Sequence, residues 1–463
     1  MFSALRSSKK VLKVIVVGCG KVGTTLVEQL IKEGTDITVI DKSSQKITEI
    51  TNTYDVMGIV GNGATYSVQM EAGIDKTDLF IAVTDSDELN LLCCTVARRV
   101  GGCDAIARVR TPDYSKETSY LREKLGLAMI INPEMEAARE ISKILYLPSA
   151  LEVSSFAHGS AELVKFKIPE DNMLVGMTIA QLGRNNITNK VLVCAVERDG
   201  NVIIPTGDFG MKSGDIITFV CHRKNVKEFL DSIGIKTDRT KNTIIIGGGK
   251  AAYYLAVRLI GMGIEVKIIE KDLKRCEELS VLLPKAIIIN GDGTDENLLM
   301  AEGIENVSSF VPLTGIDEEN VMLTLYAKKV SKAKVVTKIN RMNFKDVIGQ
   351  LELGSVVYPR YITAEAIIAY ARAKKDSLDS NIERLYHMFD NKVEAIEFRV
   401  DKESDITGVP LMDLSIKKNI LVSFIYRKGN VIIPSGQDFL QVGDTVMIVT
   451  THTGFNEIHD IIV

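Results

Sequence analysis

The chain has no tryptophan and only five histidines, and no uncharged apolar run approaches the roughly 18 residues that a membrane helix requires. A membrane role would therefore be peripheral, through a protein partner. The seven cysteines (Cys19, Cys93, Cys94, Cys103, Cys194, Cys221 and Cys276) form no C-x-x-C pair, and their number is odd. That argues against a disulfide scaffold or a zinc ribbon and for reduced, mostly buried thiols. The histidines are dispersed without H-x-x-x-H spacing, so no metal-ligand set emerges. A formal charge of −4 provides no broad basic field, which disfavours nucleic acid as a partner. No apolar stretch of signal-peptide type precedes the early lysines, and the expected location is cytoplasmic.

What the sequence does contain is repetition. Gly200-Asn201-Val202-Ile203-Ile204-Pro205-Thr206-Gly207 returns as Gly429-Asn430-Val431-Ile432-Ile433-Pro434-Ser435-Gly436, and a glycine-rich turn at Gly18 returns at Gly247. Both repeats share an offset of 229 residues (247 − 18 and 429 − 200). A period that long marks a duplicated module rather than a solenoid unit. A length of 463 residues leaves room for three or four domains of about 100–200 residues each.

In the first module, Lys13-Val14-Ile15-Val16-Val17 is a short β-branched run suited to a buried parallel strand. It runs into Gly18-Cys19-Gly20-Lys21-Val22-Gly23, a G-x-G-x-x-G, and then into a stretch of helical spacing. Asp36 to Ile40 reads as a second strand ending at Asp41, followed by Lys42. Gly18 permits the tight turn, Gly20 admits a pyrophosphate, and Gly23 allows close packing of helix on strand. The helix N-terminus offers N–H groups to phosphate. Asp41 sits where a carboxylate accepts ribose hydroxyls, and its charge favours NAD over NADP. Strand ends at Val60, Val83 and Ala107 bring Asn62, Thr84, Asp85 and one of the arginines Arg108 and Arg110 towards the same cleft.

The second module repeats this with Gly247-Gly248-Gly249-Lys250-Ala251-Ala252, Glu270 at a second strand end, Asp292 after a third and Thr314 after a fourth. Ala252 replaces the last glycine, Pro312 falls awkwardly inside a central strand, and Lys338 replaces the arginine-bearing strand end. The second site reads as competent but weaker or different in preference. Each module continues into a Pro-initiated helix, at Pro133 and Pro359, expected to pack either on a neighbouring subunit or within its own domain. Each ends in an α+β segment of about 80 residues with a hairpin signal, Asp199-Gly200 or Lys428-Gly429.

These residues closely resemble the RCK (KTN) family of potassium-transport regulators across nearly the whole chain. The most specific elements are the G-x-G-x-x-G unit ending in Asp41, the Thr84-to-Asn90 stretch, Ala107-Arg108-Val109-Arg110, and the paired G-N-V-I-I-P-[TS]-G hairpins. The resemblance implies an α/β fold with two Rossmann-like, doubly wound parallel-sheet domains, each followed by a small α+β subdomain. The implied segments are 11–132 (first Rossmann domain), 133–150 (crossover helix), 151–236 (first C-terminal subdomain), 241–358 (second Rossmann domain), 359–379 (crossover helix) and 380–463 (second C-terminal subdomain). It further implies a homotetramer docked on an integral membrane potassium transporter, regulated by NAD or NADH and by ATP or ADP. Gly18, Gly20, Lys21, Gly23, Asp41, Thr84, Asp85 and Arg108 carry over as ligand contacts. The glycine turn adds Cys19 and Val22, Asp41 adds Lys42, and Asn62 and the second-half set Gly247, Gly249, Lys250, Glu270, Asp292 and Thr314 complete the candidates. Asn62 departs from the family pattern, which often has Asp there, as Asp292 does in the second half.

Two other classes compete. An NAD-dependent dehydrogenase requires an acid/base group and an anion clamp beside the nicotinamide, and no such residue set stands out. A nucleotide or second-messenger sensor acting on another transporter shares every nucleotide feature and differs only in its partner.

Overall fold

The computed structural model describes residues 11–184, 190–235, 240–340, 348, 350–351, 353–375, 381–389 and 392–463. The amino-terminal residues 1–10 and the expected boundary positions 236 and 376–380 lie outside them. The chain divides into two compact units, Met1–Pro133 with Arg360–Ile382, and Glu134–Pro359 with Glu383–Val463.

The first unit holds a six-stranded sheet of β1 (Lys13–Val17), β2 (Asp36–Asp41), β3 (Met57–Val60), β4 (Leu79–Ala82), β5 (Asp104–Arg108) and β6 (Met129–Ile131), in the order β3-β2-β1-β4-β5-β6. Every pairing is parallel. The inner strands are apolar along their length because helices cover both faces of a parallel sheet, and all four residues of β4 are buried. Strand order reverses between β1 and β4, which opens a crevice at their carboxyl ends. β6, three residues long, is too short for its alternation to be seen in the sequence.

The second unit opens with β7 (Glu152–Phe156), β8 (Ala161–Lys167), β9 (Val191–Arg198), β10 (Asn201–Ile203) and β11 (Ile216–His222), ordered β10-β9-β11-β8-β7. Its hairpin turns on Asp199 (φ 51°) and Gly200 (φ 76°), with Arg198 opposite Asn201. Two successive left-handed residues match the twist of the flanking strands, as the dipeptide predicts. A second parallel sheet follows, built of β12 (Asn242–Ile246), β13 (Glu265–Glu270), β14 (Ile287–Asn290), β15 (Ser309–Pro312), β16 (Lys334–Lys338) and β17 (Ser355–Val357), with the same order as the first, β14-β13-β12-β15-β16-β17. Pro312 is accommodated at the last position of β15, opposite Ile246, while pairing with β16 covers Ser309 and Phe310. The missing N–H thus falls where that ladder has ended. Finally β18 (Ile382–Met388), β19 (Val393–Arg399), β20 (Ile420–Arg427), β21 (Asn430–Ile432) and β22 (Thr445–Thr450) repeat the five-stranded sheet.

The two five-stranded sheets share one core. Phe156, Leu163, Ala195 and Val220 pack with Val393, Ala395, Phe424 and Met447. Glu397 accepts the Ala157 N–H at 2.7 Å across that contact. Each sheet is also clasped in the same way. Arg198 makes two 2.7 Å bonds to Asp215, and Arg427 makes two to Asp444. Burial raises the Asp215 pKa, but the Arg198 hydrogen bond and charge prevail and hold it below its usual value. In each clasp the arginine and aspartate stand 17 residues apart in sequence and meet through strand pairing, which local patterning does not reveal.

The Pro-initiated helices do not pack within their own domains. Helix Pro133–Tyr146 packs on the second Rossmann domain, where Arg258 donates to Ser142 Oγ (2.9 Å) and Thr240 to the Leu145 carbonyl (2.7 Å). Helix Pro359–Lys375 belongs with the first, where Arg372 forms two bonds to Glu33 (2.7 and 2.6 Å). Each half lends its helix to the other half of the same chain, a long-range exchange that local periodicity cannot reveal.

Candidate functional site

Gly18 adopts φ +101°, a left-handed conformation that disfavours any side chain, and an added Cβ would lie 2.9 Å from the Thr84 nitrogen. A Cβ on Gly23 would stand 1.9 Å from the Gly18 carbonyl oxygen. These two glycines pack backbone on backbone. Gly20 differs: a Cβ there meets nothing within 4 Å, so the open space lies directly over the loop. Gly20 caps helix Lys21–Lys32 without a side-chain bond, and the first turn carries no acid. Helices Ser44–Thr53 and Asp87–Gly101, by contrast, are capped by Ser43 and Ser86. The glycine-loop helix thus presents N–H groups and the positive end of its dipole without an internal anion. Lys21 is its first residue and Val22 is buried behind it.

Asp41 ends β2 and is held from two sides, accepting the Cys19 N–H at 2.7 Å and the Ser43 N–H at 2.9 Å. Those bonds fix the carboxylate beside the loop while leaving lone pairs for ribose hydroxyls. Burial, then the nearby Asp41 charge, pushes the Cys19 thiol up to about 12, so it contributes its backbone and not a thiolate. Lys42 is exposed and Asn62 half-buried, its Oδ1 accepting the Ala64 N–H.

On the other side of the crevice, Asn90 is fully buried and binds three elements together. It accepts from both the backbone and hydroxyl of Thr84 (2.7 Å each) and donates to the Arg108 carbonyl (2.9 Å). Arg108 is buried and donates to the Thr84 carbonyl (2.5 Å), with Asp85, almost wholly exposed, 3.5 Å away. Arg108 therefore braces the Thr84–Asp85 turn. Asp87 adds another brace, accepting from Arg110 N–H and from the Thr111 N–H and hydroxyl (2.7–2.8 Å). Gly18, Cys19, Asp41, Thr84 and Arg108 are therefore joined at one crevice. Asn62 and Lys42 lie at the adjoining strand ends.

The second half repeats the arrangement. Gly247 has φ +93°, Gly249 faces open space, and helix Lys250–Gly261 begins without a side-chain cap or a first-turn acid. Glu270 accepts the Gly248 N–H at 2.5 Å and the Asp272 N–H at 2.8 Å. Thr314 bonds to Asn320 through backbone and hydroxyl (2.9 Å each), and Lys338 donates to the Leu313 carbonyl where Arg108 serves the first half. Asp292 is exposed, its pKa lowered by the Thr294 N–H and hydroxyl. The buried braces Asp87, Asn90 and Asn320, and the half-buried Asp317, which accepts the Asn340 backbone and side-chain N–H (2.9 Å each), are not among the candidate residues. Their signal was present as an Asp-x-x-Asn spacing repeated in both halves.

An adenine dinucleotide fits both crevices by donor set. Each has an open glycine, an unopposed helix N-terminus and a pre-fixed acid one strand away. Among the described residues there is no group of three His, Cys, Asp or Glu able to hold a metal, and no helix long and apolar enough to cross a membrane.

The fold and the crevices define a tandem Rossmann-type nucleotide-binding protein in which each sheet domain is followed by a small β-rich subdomain. TrkA-N domain models match residues 14–133 and 243–359, and TrkA-C domain models match 163–234 and 395–463; the chain belongs to the TrkA family. The Trk system potassium uptake protein TrkA of Haemophilus influenzae is 31% identical over 440 residues, 94% of this chain and 95% of that protein. Among solved structures, the GsuK channel bound to NAD superposes with a TM-score of 0.63 at 16% identity, over 96% of this chain and 77% of that one. GsuK bound to ADP gives 0.51 at 14% identity, over 79% and 70%.

Proposed function

We propose that the chain is a nucleotide-sensing peripheral subunit that regulates a membrane potassium transporter of Trk or Ktr type, at the inner face of the cell membrane. It binds NAD or NADH, with ATP or ADP as competing ligands, and works as a homotetramer. The observation that carries this reading is the pair of crevices, each with an uncapped helix N-terminus, an open glycine and a fixed acid. The NAD and ADP named for the GsuK structures and the potassium uptake named for the relative support the choice of ligand and partner.

Gly18, Gly20, Lys21, Gly23 and Asp41 bind pyrophosphate and ribose, and Thr84, with Arg108 bracing it, closes the far wall. Gly247, Gly249, Lys250, Glu270 and Thr314 do the same in the second half. Ligand shifts a two-state assembly by its differential affinity for the two states, and the exchanged helices carry that shift between halves. The test is potassium flux in a reconstituted complex with the transporter, with and without ADP and NADH. Asp41→Ala and Gly20→Asp are expected to remove the first crevice's share of the nucleotide response. Unchanged responses in both variants would refute the reading.

A further inference from the structure

We propose that the first crevice is wired by an ionic latch, built of Glu33 and Asp104, to the helix it receives from the other half, so that its occupancy and the docking of that helix are coupled. The proposal rests on the nucleotide reading above.

Two elements frame the first crevice and run away from it. Helix Lys21–Lys32 begins at the open loop and ends at its C-cap, Glu33. Strand β5 ends at Arg108 in the crevice and begins at Asp104. At these two far ends the donated helix Pro359–Lys375 is gripped. Arg372, with a side chain only 3% exposed, makes its two bonds to Glu33. Tyr370 and Lys374 both donate to Asp104 at 2.5 Å. A shift of the helix or strand on ligand binding moves the acids that hold the visitor, because both elements are rigid and their side chains are fixed by directional, partly buried bonds.

The two acidic positions of this device are not acidic in the second half. The C-cap of helix Lys250–Gly261 is Met262, a thioether where Glu33 stands. The first residue of β16 is Lys334, a cation where Asp104 stands, and it donates to the Ala150 carbonyl at 2.5 Å. The helix docked there receives a hydrogen bond from Arg258 on the Ser142 hydroxyl and one from Thr240 on the Leu145 carbonyl, and Arg258 feels the charges of Glu136 and Glu140 on that helix without a direct ion pair to either among the described residues. The two crevices look alike at the loop and differ at the back.

Hydrogen–deuterium exchange on the full chain tests this, with ADP as the probe. Saturating ADP is expected to slow exchange in residues 359–375 and leave 133–146 much less changed. Gly20→Asp should abolish the effect and Gly249→Asp should preserve it. By reciprocity, Arg372→Gln should weaken ADP binding at the first crevice about five-fold or more, the lower end of typical allosteric coupling. Lys374→Met provides a milder variant should the first not fold. Calorimetry separates the two levels: absence of any ADP heat defeats the nucleotide reading itself. ADP binding with unchanged exchange in 359–375, or with equal change in 133–146, overturns the latch.

Discussion

At the scale of single residues, the glycines of one motif serve opposite purposes, and substitution separates them. Gly23 has the Gly18 carbonyl 1.9 Å from where a Cβ would stand, so Gly23→Ala must push the loop off the helix. Overpacking of that kind costs about 1–3 kcal/mol, expected as a clear drop in thermal midpoint. Gly20 faces open space, so Gly20→Asp should leave the midpoint nearly unchanged while placing a carboxylate where phosphate would sit, eliminating the first crevice's ADP binding event by calorimetry. The second half carries Ala252, buried, at the Gly23 position, and its helix likewise starts from an uncapped glycine, Gly249. The motif was legible in sequence because turn geometry dictates residue type locally. Asn90 and Asp87 were not, because their importance comes from bonds to Arg108, Arg110 and Thr111, about 20 residues away.

At the scale of elements, strands and hairpins were legible because their signals are local. The Asp199-Gly200 turn has its counterpart at Lys428 (φ 48°) and Gly429 (φ 87°), and lysine is a poor occupant of a left-handed position. Lys428→Asn should therefore stabilise the second hairpin by about 0.5–1 kcal/mol, read as a higher urea midpoint. The exchanged helices were illegible, since their amphipathic faces do not declare which sheet domain they cover. Their docking carries a pH dependence of definite sign. Burial raises the Asp104 pKa, but bonds from Lys374 and Tyr370 and the nearby charges outweigh it and hold the folded value below the ordinary 3.8. A depressed carboxylate stabilises the fold above its unfolded pKa, and that contribution fades as pH falls through the folded value. Acid below about pH 4 should loosen helix 359–375 selectively. Asp104→Asn should blunt the acid-dependent part of that loosening, measured by exchange at pH 7 and pH 3.

At the scale of the whole molecule, duplication followed by divergence is the feature that needs explaining. Two sheets share one strand order, two five-stranded sheets share one core, and two crevices share one loop geometry. Chemistry differs around that common frame: Asn62 against Asp292, Arg108 against Lys338, Asp41 against the longer Glu270. Each change alters charge or reach beside the place a nucleotide would occupy, while the loop that takes the phosphates is retained. Two affinities are therefore expected rather than two equal sites. Titration of the full chain with ADP should resolve two binding events per chain. Gly20→Asp should remove one and Gly249→Asp the other, with the survivor in each case close to one of the wild-type constants. The open Asp292 adds a negative charge that Asn62 lacks, which opposes an anionic ligand in the second crevice over a Debye length of about 8 Å at physiological salt. The second event should accordingly be the weaker, and Asp292→Asn should tighten it at low salt more than at high salt. A single stoichiometric event lost in both glycine variants would mean that the halves act as one site, and the divergence would then belong to assembly rather than to ligand choice.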